Sequence, residues 1–328
     1  MNAKRTHSTR TLALVATLLL AGLSAPASAT VFSLEETDGG MLGREERVVT
    51  RYEDTLYDIA RRFSLGSEEI VRVNPGMDPW LPGADREIVI PGQRILPQGP
   101  REGIVVNLPE HRLYYFPKRV SGQPQRVFTY PVSIGKMDWH TPLGKTSITN
   151  KRENPTWSPP ESVRKEHRER GDPPLPAVVP AGPDNPLGAF AMRLGLKGAY
   201  LIHGTNNPIA VGMAVTHGCI RMYPEDIEEL FPMVAVGTPV YLINEPVKVA
   251  WIRGQLVLEA HPPIDNQGQT SEPDVSVLEG LFDKALGDSQ AAIHWDRARV
   301  ELGKARGMPV VVGVEAGESE LNAASNSL

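Results

Sequence analysis

The chain has 328 residues, which is long for one domain and predicts two or three. Its formal net charge of −5 is mild and no dense basic patch occurs, which argues against nucleic acid as the main partner. Thirty prolines and thirty glycines favour turns and loops over a helical bundle.

The first 29 residues have the pattern of a secretory signal peptide. Lys4, Arg5 and Arg10 supply positive charge, residues 11–23 are apolar, and residues 27–29 read Ala-Ser-Ala, a typical cleavage site. The alternative is an uncleaved anchor, but the apolar run is shorter than the ~20 residues of a spanning helix. We therefore expect an exported protein that begins at Thr30 and has no transmembrane segment.

Two regions precede the longest part of the chain. Residues 30–46 are polar and contain Gly39-Gly40, which is typical of a linker. Residues 47–97 predict a strand, a helix capped by Asp54 or Thr55, a second helix capped by Ser67, and a closing strand over residues 88–90. The expected fold of this region is a small α+β unit of the βααβ type.

The D-T-L-Y-D-I-A run of this unit, its Asn74-Pro75 pair and its final I-V-I-P resemble a lysin motif (LysM) module. The resemblance implies a surface that binds the N-acetylglucosamine-containing glycan of peptidoglycan. The alternative is an N-terminal subdomain that has no ligand.

Residues 98–244 contain many short apolar segments separated by Gly and Pro, which predicts a mostly-β sandwich or barrel. A hairpin is expected from residues 104–108 and 112–116. Nine prolines interrupt residues 150–188, where we expect a flap over a cleft, with Trp157 as a substrate contact. The charged run of residues 161–170 predicts a short helix, which is alternatively only a solvated surface.

The remaining residues predict a third unit and a tail. A strand pair, two helices and a final strand over residues 245–315 indicate a small α/β subdomain. Residues 316–328 are small and polar, which is typical of a disordered tail.

The most informative stretch runs from Leu201 to Arg221. It contains the only cysteine, Cys219, together with His203 and His217, and each histidine is followed by a glycine. A thiol reacts only as a thiolate, which needs a nearby base or positive charge. An unpaired cysteine in an exported protein indicates a reactive thiol, although a lone cysteine is often a small buried apolar side chain.

His203-Gly204, a spacer, and T-H-G-C-I-R-M over residues 216–222 resemble the signature of the L,D-transpeptidase (YkuD-type) catalytic domain, whose usual acidic residue matches Asp226. T-P-L-G at residues 141–144 and N-P-T-W at residues 154–157 extend the resemblance to residues 101–244. The chain is similar in particular to the Gram-negative ErfK/YbiS/YcfS/YnhG group, which implies a periplasmic enzyme.

The resemblance implies a role for each residue of the stretch. Cys219 is the nucleophile, His203 is the general acid/base, and the Gly204 carbonyl orients His203, whereas the residues alone do not separate His203 from His217 as the base. Arg221 supplies charge to the thiolate or the substrate, or alternatively forms a salt bridge with Asp226 or Glu225. His217 and Gly218 are expected to form a turn that stabilises the oxyanion. Thr216 and Asn206 are expected to contact the substrate.

The implied substrate is a peptidoglycan stem tetrapeptide, from which Cys219 would release the terminal D-alanine. The acceptor amine belongs to another stem, which gives a three-to-three cross-link, or to a lysine of an outer-membrane lipoprotein. No cofactor or metal is expected. The alternatives are a hydrolase that uses water, a zinc site formed by His203, His217 and Cys219, and a non-catalytic wall-binding protein.

Overall fold

The computed structural model describes residues 30–37, 40–136, 139, 141–265, 270–271 and 273–317. The predicted signal peptide and residues 318–328 of the predicted tail lie outside the described residues. Within these ranges, no helix combines the length and the apolar composition that crossing a bilayer requires.

The N-terminal part contains the predicted strand–helix–helix–strand order. Its elements are β1 (Thr30–Ser33), β2 (Met41–Leu42), β3 (Glu46–Val49), α1 (Leu56–Arg62), α2 (Ser67–Val73), β4 (Glu87–Ile90) and β5 (Arg94–Ile95). Strands β3 and β4 pair antiparallel. Apolar side chains of both helices and β4, including Leu56, Ile59, Ile70 and Ile88, form a separate small core beside this pair.

One of the two predicted helix caps of this unit is confirmed. The Thr55 hydroxyl accepts a hydrogen bond from the Asp58 amide at 3.0 Å and so caps α1. The prediction for Ser67 is wrong, because Gly66 is the N-cap of α2. Ser67 donates instead to the Ile209 carbonyl at 2.6 Å, which ties the unit to the central domain.

The central domain is mostly β, as predicted. Its elements are β6 (Gly103–Asn107), β7 (Arg112–Phe116), β8 (Arg126–Pro131), β9 (Ile134–Gly135), β10 (Gly144–Glu153), α3 (Glu161–Arg170), β11 (Phe190–Leu194), β12 (Leu201–His203), β13 (Ala214–Thr216), β14 (Ile220–Arg221), α4 (Pro224–Met233) and β15 (Pro239–Ile243). Nine strands form one mixed sheet in the order β1-β8-β7-β6-β15-β10-β11-β12-β14. The predicted hairpin is β6–β7, which pairs antiparallel.

The sheet is packed on both faces at β6 and β7, whose residues are all buried. One face joins the main core, which includes Ile104, Leu113 and side chains of α4 such as Ile227 and Leu230. Helix α4 begins with Pro224 at its first position and carries acids in its first turn, an arrangement that favours the start of a helix. Because α4 follows β14 directly, it supports the end of the sheet that carries Cys219.

The segment predicted as a linker contains strands instead. Thr30–Ser33 pairs antiparallel with β8 and forms one edge of the nine-stranded sheet. Met41–Leu42 pairs with β5. The polar composition of residues 30–46 does not reveal this, because only a few apolar side chains of the segment, among them Phe32 and Leu42, belong to or pack against the core beside β6 and β7.

The C-terminal part consists of β16 (Val247–Ile252), β17 (Gln255–Ala260), α5 (Val277–Leu286), β18 (Ala291–Ile293), α6 (Trp295–Lys304) and β19 (Val310–Glu315). Its sheet has the order β16-β17-β19-β18 with antiparallel pairs, so the arrangement is α+β, where an α/β subdomain was predicted. The second of the two predicted helices is α6, and an additional short strand, β18, precedes it.

A buried ion cluster joins the three parts of the chain. The Lys248 ammonium lies 3.1 Å from Glu110, 2.7 Å from Glu259 and 2.6 Å from the Ile95 carbonyl. Its partners therefore come from the central domain, the C-terminal part and β5. Since an uncompensated buried charge is costly, this cluster stabilises the contact between the parts only while all its members are present.

Candidate active site

Cys219 lies in a tight turn between β13 and β14, formed by residues 217–219 and named here the catalytic turn because it contains the candidate nucleophile. The Thr216 hydroxyl donates to the Cys219 carbonyl at 2.6 Å and closes this turn. Gly218 has φ of +93°, and a methyl group there would lie 2.6 Å from Cε1 of Tyr200. Glycine is thus required at this position both by the backbone conformation and by the available space.

A second hydroxyl holds the turn from the other side. Thr141 donates to the Gly218 carbonyl at 3.1 Å and accepts from the Gly135 amide at 3.0 Å. Thr141 is buried. The sequence did not predict this role, although the T-P-L-G run that begins at Thr141 was one of the segments that carried the family resemblance.

His203 ends β12, which runs parallel to β14, so Ile202 lies opposite Ile220 and His203 lies opposite Arg221. The His203 Nδ1–H donates to the Gly204 carbonyl at 2.6 Å, which leaves Nε2 with a lone pair. Burial, with a smaller contribution from the Arg221 charge, lowers the pKa of His203 to about 3, although hydrogen bonds to the Gly204 and Leu187 carbonyls oppose the shift. His203 is therefore neutral at physiological pH.

The Cys219 side chain is half-buried, and its Sγ lies 3.6 Å from the Ala199 carbonyl. Burial raises the pKa of the Cys219 thiol, whereas the Leu201 amide and the Arg221 charge lower it. The net direction is upward. The two central groups thus form a neutral thiol and a neutral imidazole rather than an ion pair.

Arg221 does not form the salt bridge that was the alternative for it. Glu225 pairs instead with Arg61 of α1, through contacts of 2.7 and 2.8 Å. Asp226 is buried, and burial followed by the Glu225 charge raises its pKa well above the ordinary range. Arg221 thus has a half-buried guanidinium whose Nε finds no hydrogen-bond partner among the described residues.

Comparison with known proteins agrees with this geometry. Residues 101–242 match the family described as the L,D-transpeptidase catalytic domain (YkuD). A protein of Escherichia coli strain K12 named probable L,D-transpeptidase YcfS is 39% identical over 300 residues, which cover 88% of this chain and 90% of that protein. This chain belongs to the L,D-transpeptidase family.

Two further relatives from the same strain support the assignment. Probable L,D-transpeptidase YbiS is 40% identical over 76% of this chain and 80% of its own length. Probable L,D-transpeptidase ErfK/SrfK is 38% identical over 78% of this chain and 82% of its own length. The predicted resemblance to the ErfK/YbiS/YcfS group is therefore confirmed, and the predicted enzyme class agrees with the names of these relatives.

The proline-rich segment of this L,D-transpeptidase is ordered by its own polar side chains. Arg164 in α3 donates to the carbonyls of Leu175, Pro176 and Ala177. The fully buried Asn185 donates to the carbonyls of Pro155 and Pro180 at 2.7 and 3.0 Å. These bonds replace the regular pairing that the prolines prevent, so the segment holds a defined shape beside the catalytic turn.

Helix α3 is the predicted helix, and one of its acids contacts the catalytic turn. The Glu166 carboxylate lies 2.7 Å from His217 Nε2 and 2.8 Å from Lys136 Nζ. His217 also packs against Trp139 with 5.2 Å between ring centroids. The sequence did not predict Glu166, because a helix with alternating charges gives no sign of which charge faces a neighbour.

The three predicted substrate contacts lie in different settings. Trp157 is half-buried and pairs with Val179 through two backbone hydrogen bonds, which places it within the proline-rich segment. Asn206 is exposed and donates to the Asp184 carbonyl at 3.2 Å. The prediction for Thr216 is corrected, since its side chain is buried and its hydroxyl is used within the catalytic turn.

The residues of the zinc alternative do not converge. Among the described residues, the His, Cys and acidic groups close enough to share an ion are Glu110, Glu259 and His261, at the cluster that surrounds Lys248. His203 bonds to Gly204, whereas His217 bonds to Glu166. Within the described part of the chain, His203, His217 and Cys219 therefore do not form a shared ligand set.

The βααβ unit contacts the loop that leads into the catalytic turn. Besides its hydroxyl bond to Ile209, Ser67 donates its amide to the Val211 carbonyl at 2.9 Å. Gly212 packs so closely that a methyl group there would lie 2.3 Å from the Gly66 Cα. Because β13 begins two residues after Gly212, the unit and the active site share one packed support.

Proposed function

We propose that this chain is a peptidoglycan L,D-transpeptidase that works through a thioester on Cys219. One observation carries the proposal. The end of β12 places His203 beside the strand that follows Cys219, and its Nδ1 is held by the Gly204 carbonyl at 2.6 Å. A neutral imidazole whose Nδ1 is held by a carbonyl, on the strand paired with the one that follows the thiol, is the arrangement expected of a nucleophilic cysteine enzyme.

In the first step, His203 Nε2 takes the thiol proton as Sγ attacks the carbonyl at the L-centre of the third stem residue. The carbonyl oxygen becomes an oxyanion, which backbone N–H groups of the His217–Gly218–Cys219 turn stabilise by ~3 kcal/mol per donor. The C–N bond then breaks and D-alanine leaves with the proton from His203. Because both groups are neutral at rest, proton transfer accompanies the attack rather than preceding it.

In the second step, an amine attacks the thioester. His203 removes a proton from this amine, the C–S bond breaks, and the thiol is restored. The amine belongs to the diamino acid of another stem, which gives a three-to-three cross-link, or to a lysine of an outer-membrane lipoprotein. With water as the acceptor, the same site acts as a carboxypeptidase or endopeptidase.

Product analysis tests this proposal. We would incubate the enzyme with defined disaccharide-tetrapeptides, alone and with a lysine-bearing lipoprotein peptide, and identify products by mass spectrometry. Transpeptidation predicts a dimer that has lost one D-alanine, or a peptide adduct. Free tripeptide as the only product would assign the site to hydrolysis, and unchanged substrate in every mixture would contradict the proposal.

We also propose that the βααβ unit is a LysM module that binds the glycan. Two exposed aromatic side chains on its surface support this, Tyr52 at 88% and Trp80 at 54% exposure. Trp80 packs edge-on against Tyr57 with 4.7 Å between ring centroids, which holds the ring in place. Aromatic faces next to polar groups suit sugar rings, because they offer apolar area at a low entropic cost.

Sedimentation with purified sacculi tests the module. Replacing Tyr52 and Trp80 together by alanine should reduce the bound fraction, while acylation of Cys219 by a small donor stays unchanged. Val236→Ala removes another exposed apolar side chain far along the chain and is the control. Equal sedimentation of all three proteins would contradict the glycan-binding role.

The compartment follows from the substrate. A peptidoglycan enzyme of this group acts in the periplasm, and residues 1–29 would export it and be removed. N-terminal sequencing of the protein from a periplasmic extract should give Thr30 as the first residue.

A further inference from the structure

One carboxylate beside the catalytic turn is surrounded by cationic or hydrogen-bond-donating groups. Glu166 Oε1 lies 2.8 Å from Lys136 Nζ and 3.1 Å from Arg170. Its other oxygen, Oε2, lies 2.7 Å from His217 Nε2. His217 is two residues from Cys219, so this carboxylate is bound next to the nucleophile.

The partners of Glu166 belong to two separate parts of the fold. Lys136 follows β9, and its amide donates to the Thr216 carbonyl at 3.0 Å, so its backbone is attached to the catalytic turn. His217 is part of that turn. Glu166 and Arg170 both lie on α3, a helix with no buried residue. Lys136 and His217 are therefore fixed to the site, whereas Glu166 reaches them from a surface helix.

The contact is partly open to solvent. The side chains of Lys136, His217 and Glu166 are 33%, 26% and 28% exposed. Two donors that bind separate oxygens of one carboxylate form a specific recognition geometry, since charge-assisted bonds are the stronger hydrogen bonds in proteins. Any carboxylate that displaced Glu166 would meet the same two donors.

We propose that Lys136 and His217 form a carboxylate subsite for the donor peptide, which Glu166 occupies in this structure. The inference rests on the proposed function and names a part of the substrate that the site recognises. A tetrapeptide donor has two suitable groups: the terminal carboxylate of the leaving residue and the carboxylate at the D-centre of the diamino acid. Glu166 is then an internal competitor that leaves when the donor binds.

The experiment compares three donors with four full-length proteins. The donors are the tetrapeptide, its C-terminal amide, and the tetrapeptide with an amide at the D-centre of the diamino acid. The proteins are the wild type, Lys136→Met, Glu166→Gln and the control Lys165→Met. The control removes an exposed lysine of α3, the helix that carries Glu166, and the ion pair of this lysine among the described residues is with Glu169. Acylation of Cys219 is followed by intact mass as kcat/KM.

We expect Lys136→Met to lower kcat/KM for the free acid by about tenfold, the value of one charge-assisted bond. Lys136→Met should have little effect on the donor in which the carboxylate that binds the subsite is replaced by an amide. The amide donor that shows this insensitivity therefore identifies which of the two carboxylates is recognised. Glu166→Gln should lower KM for the free acid, because the competing charge is lost, while Lys165→Met should behave as the wild type.

Two results would overturn the subsite. Equal slowing of all donors by Lys136→Met would assign the lysine a general role, and a higher KM for all donors in Glu166→Gln would make Glu166 a brace for the flap. Calorimetric binding of the same donors to Cys219→Ala and to the double variant with Lys136→Met separates the two proposals. Tighter binding of the acid than of the amide that is lost with Lys136→Met supports the subsite even without turnover. Equal binding of acid and amide contradicts the subsite. Absence of acylation in the wild type contradicts the proposed function instead.

Discussion

His203 and Arg221 lie directly opposite each other in the parallel pair of β12 and β14. The Arg221 charge acts on both central groups of the site, because it lowers the pKa of the His203 imidazole and the pKa of the Cys219 thiol. It therefore disfavours the imidazolium and favours the thiolate. Both pKa shifts are dominated by burial, so the resting site has no net charge on this pair.

Replacing each histidine should separate their roles. His203→Ala removes the base whose Nδ1 is fixed by Gly204, and we expect acylation to slow by about 10²- to 10⁴-fold. His217→Ala should slow it much less, since His217 Nε2 is bonded to Glu166. Rates of acylation by the tetrapeptide donor, with thermal unfolding as the folding control, measure both. The reverse order would exchange the two assignments.

The pH dependence of acylation should report the thiol alone. Because the neutral thiol reacts with His203 as its base, kcat/KM should stay level around neutral pH and change only where the thiol itself ionises, which burial moves above the ordinary thiol pKa. His203 has a pKa of about 3 and should give no inflection near pH 6.5. Arg221→Met should move the thiol inflection upward by about 1 pH unit, because the favourable charge is lost. A downward shift would contradict this role of Arg221.

The turn at Gly218 should not accept a side chain. Gly218→Ala places a methyl group 2.6 Å from Tyr200 at φ of +93°, so the turn must move, and we expect a loss of about 10²-fold in acylation. Gly237→Ala is a matched control, because Gly237 has φ of +90° and open space around it. It should lose some stability and keep its acylation rate. Equal rates for both variants would show that the shape of the turn is unimportant.

The ion pairs of Glu69 should stabilise the contact between the βααβ unit and the central domain. Glu69 binds the buried Arg112 at 2.7 Å and Arg94 at 3.3 Å. Glu69→Gln should lower the free energy of unfolding by about 3 kcal/mol, because it leaves buried cations without their partner. The neighbouring Glu68→Gln should change it less, because the Glu68 side chain is exposed in its pair with the half-buried Arg72.

The same pair should make stability depend on pH. The Arg112 and Arg94 charges lower the pKa of Glu69 below its ordinary value, against the opposing effect of burial. The contribution is therefore fully present above the ordinary glutamate pKa and is lost as pH falls through the lowered one. Denaturant unfolding at several pH values should show this loss in the wild type and not in Glu69→Gln. Parallel curves for the two proteins would contradict it.

Local patterns predicted the parts of the fold that depend on neighbouring residues. The apolar runs of β6 and β7 flank a short polar turn, so the hairpin could be predicted from composition alone. Pro224 and the acids that follow it are a local signal for the start of a helix, and α4 begins there. The turn at Cys219 could also be expected from local residues, because His217, Gly218 and Cys219 are consecutive.

Contacts between distant residues could not be predicted in this way. Arg61 and Glu225 are 164 residues apart and neither has a local signal that names the other. Thr30–Ser33 looked like a linker because nothing nearby indicates its pairing with β8. Glu166 is one of several acids in α3, and only the packing of the proline-rich segment selects it as the partner of His217.

Cys219 is proposed to carry the acyl group, and intact mass spectrometry with a tetrapeptide donor tests this role most directly. The wild type should gain the mass of the donor minus D-alanine, with the modified peptide mapping to Cys219, and Cys219→Ala should gain nothing. An adduct of the same mass on Cys219→Ala, or release of D-alanine by that variant at the wild-type rate, would contradict the account.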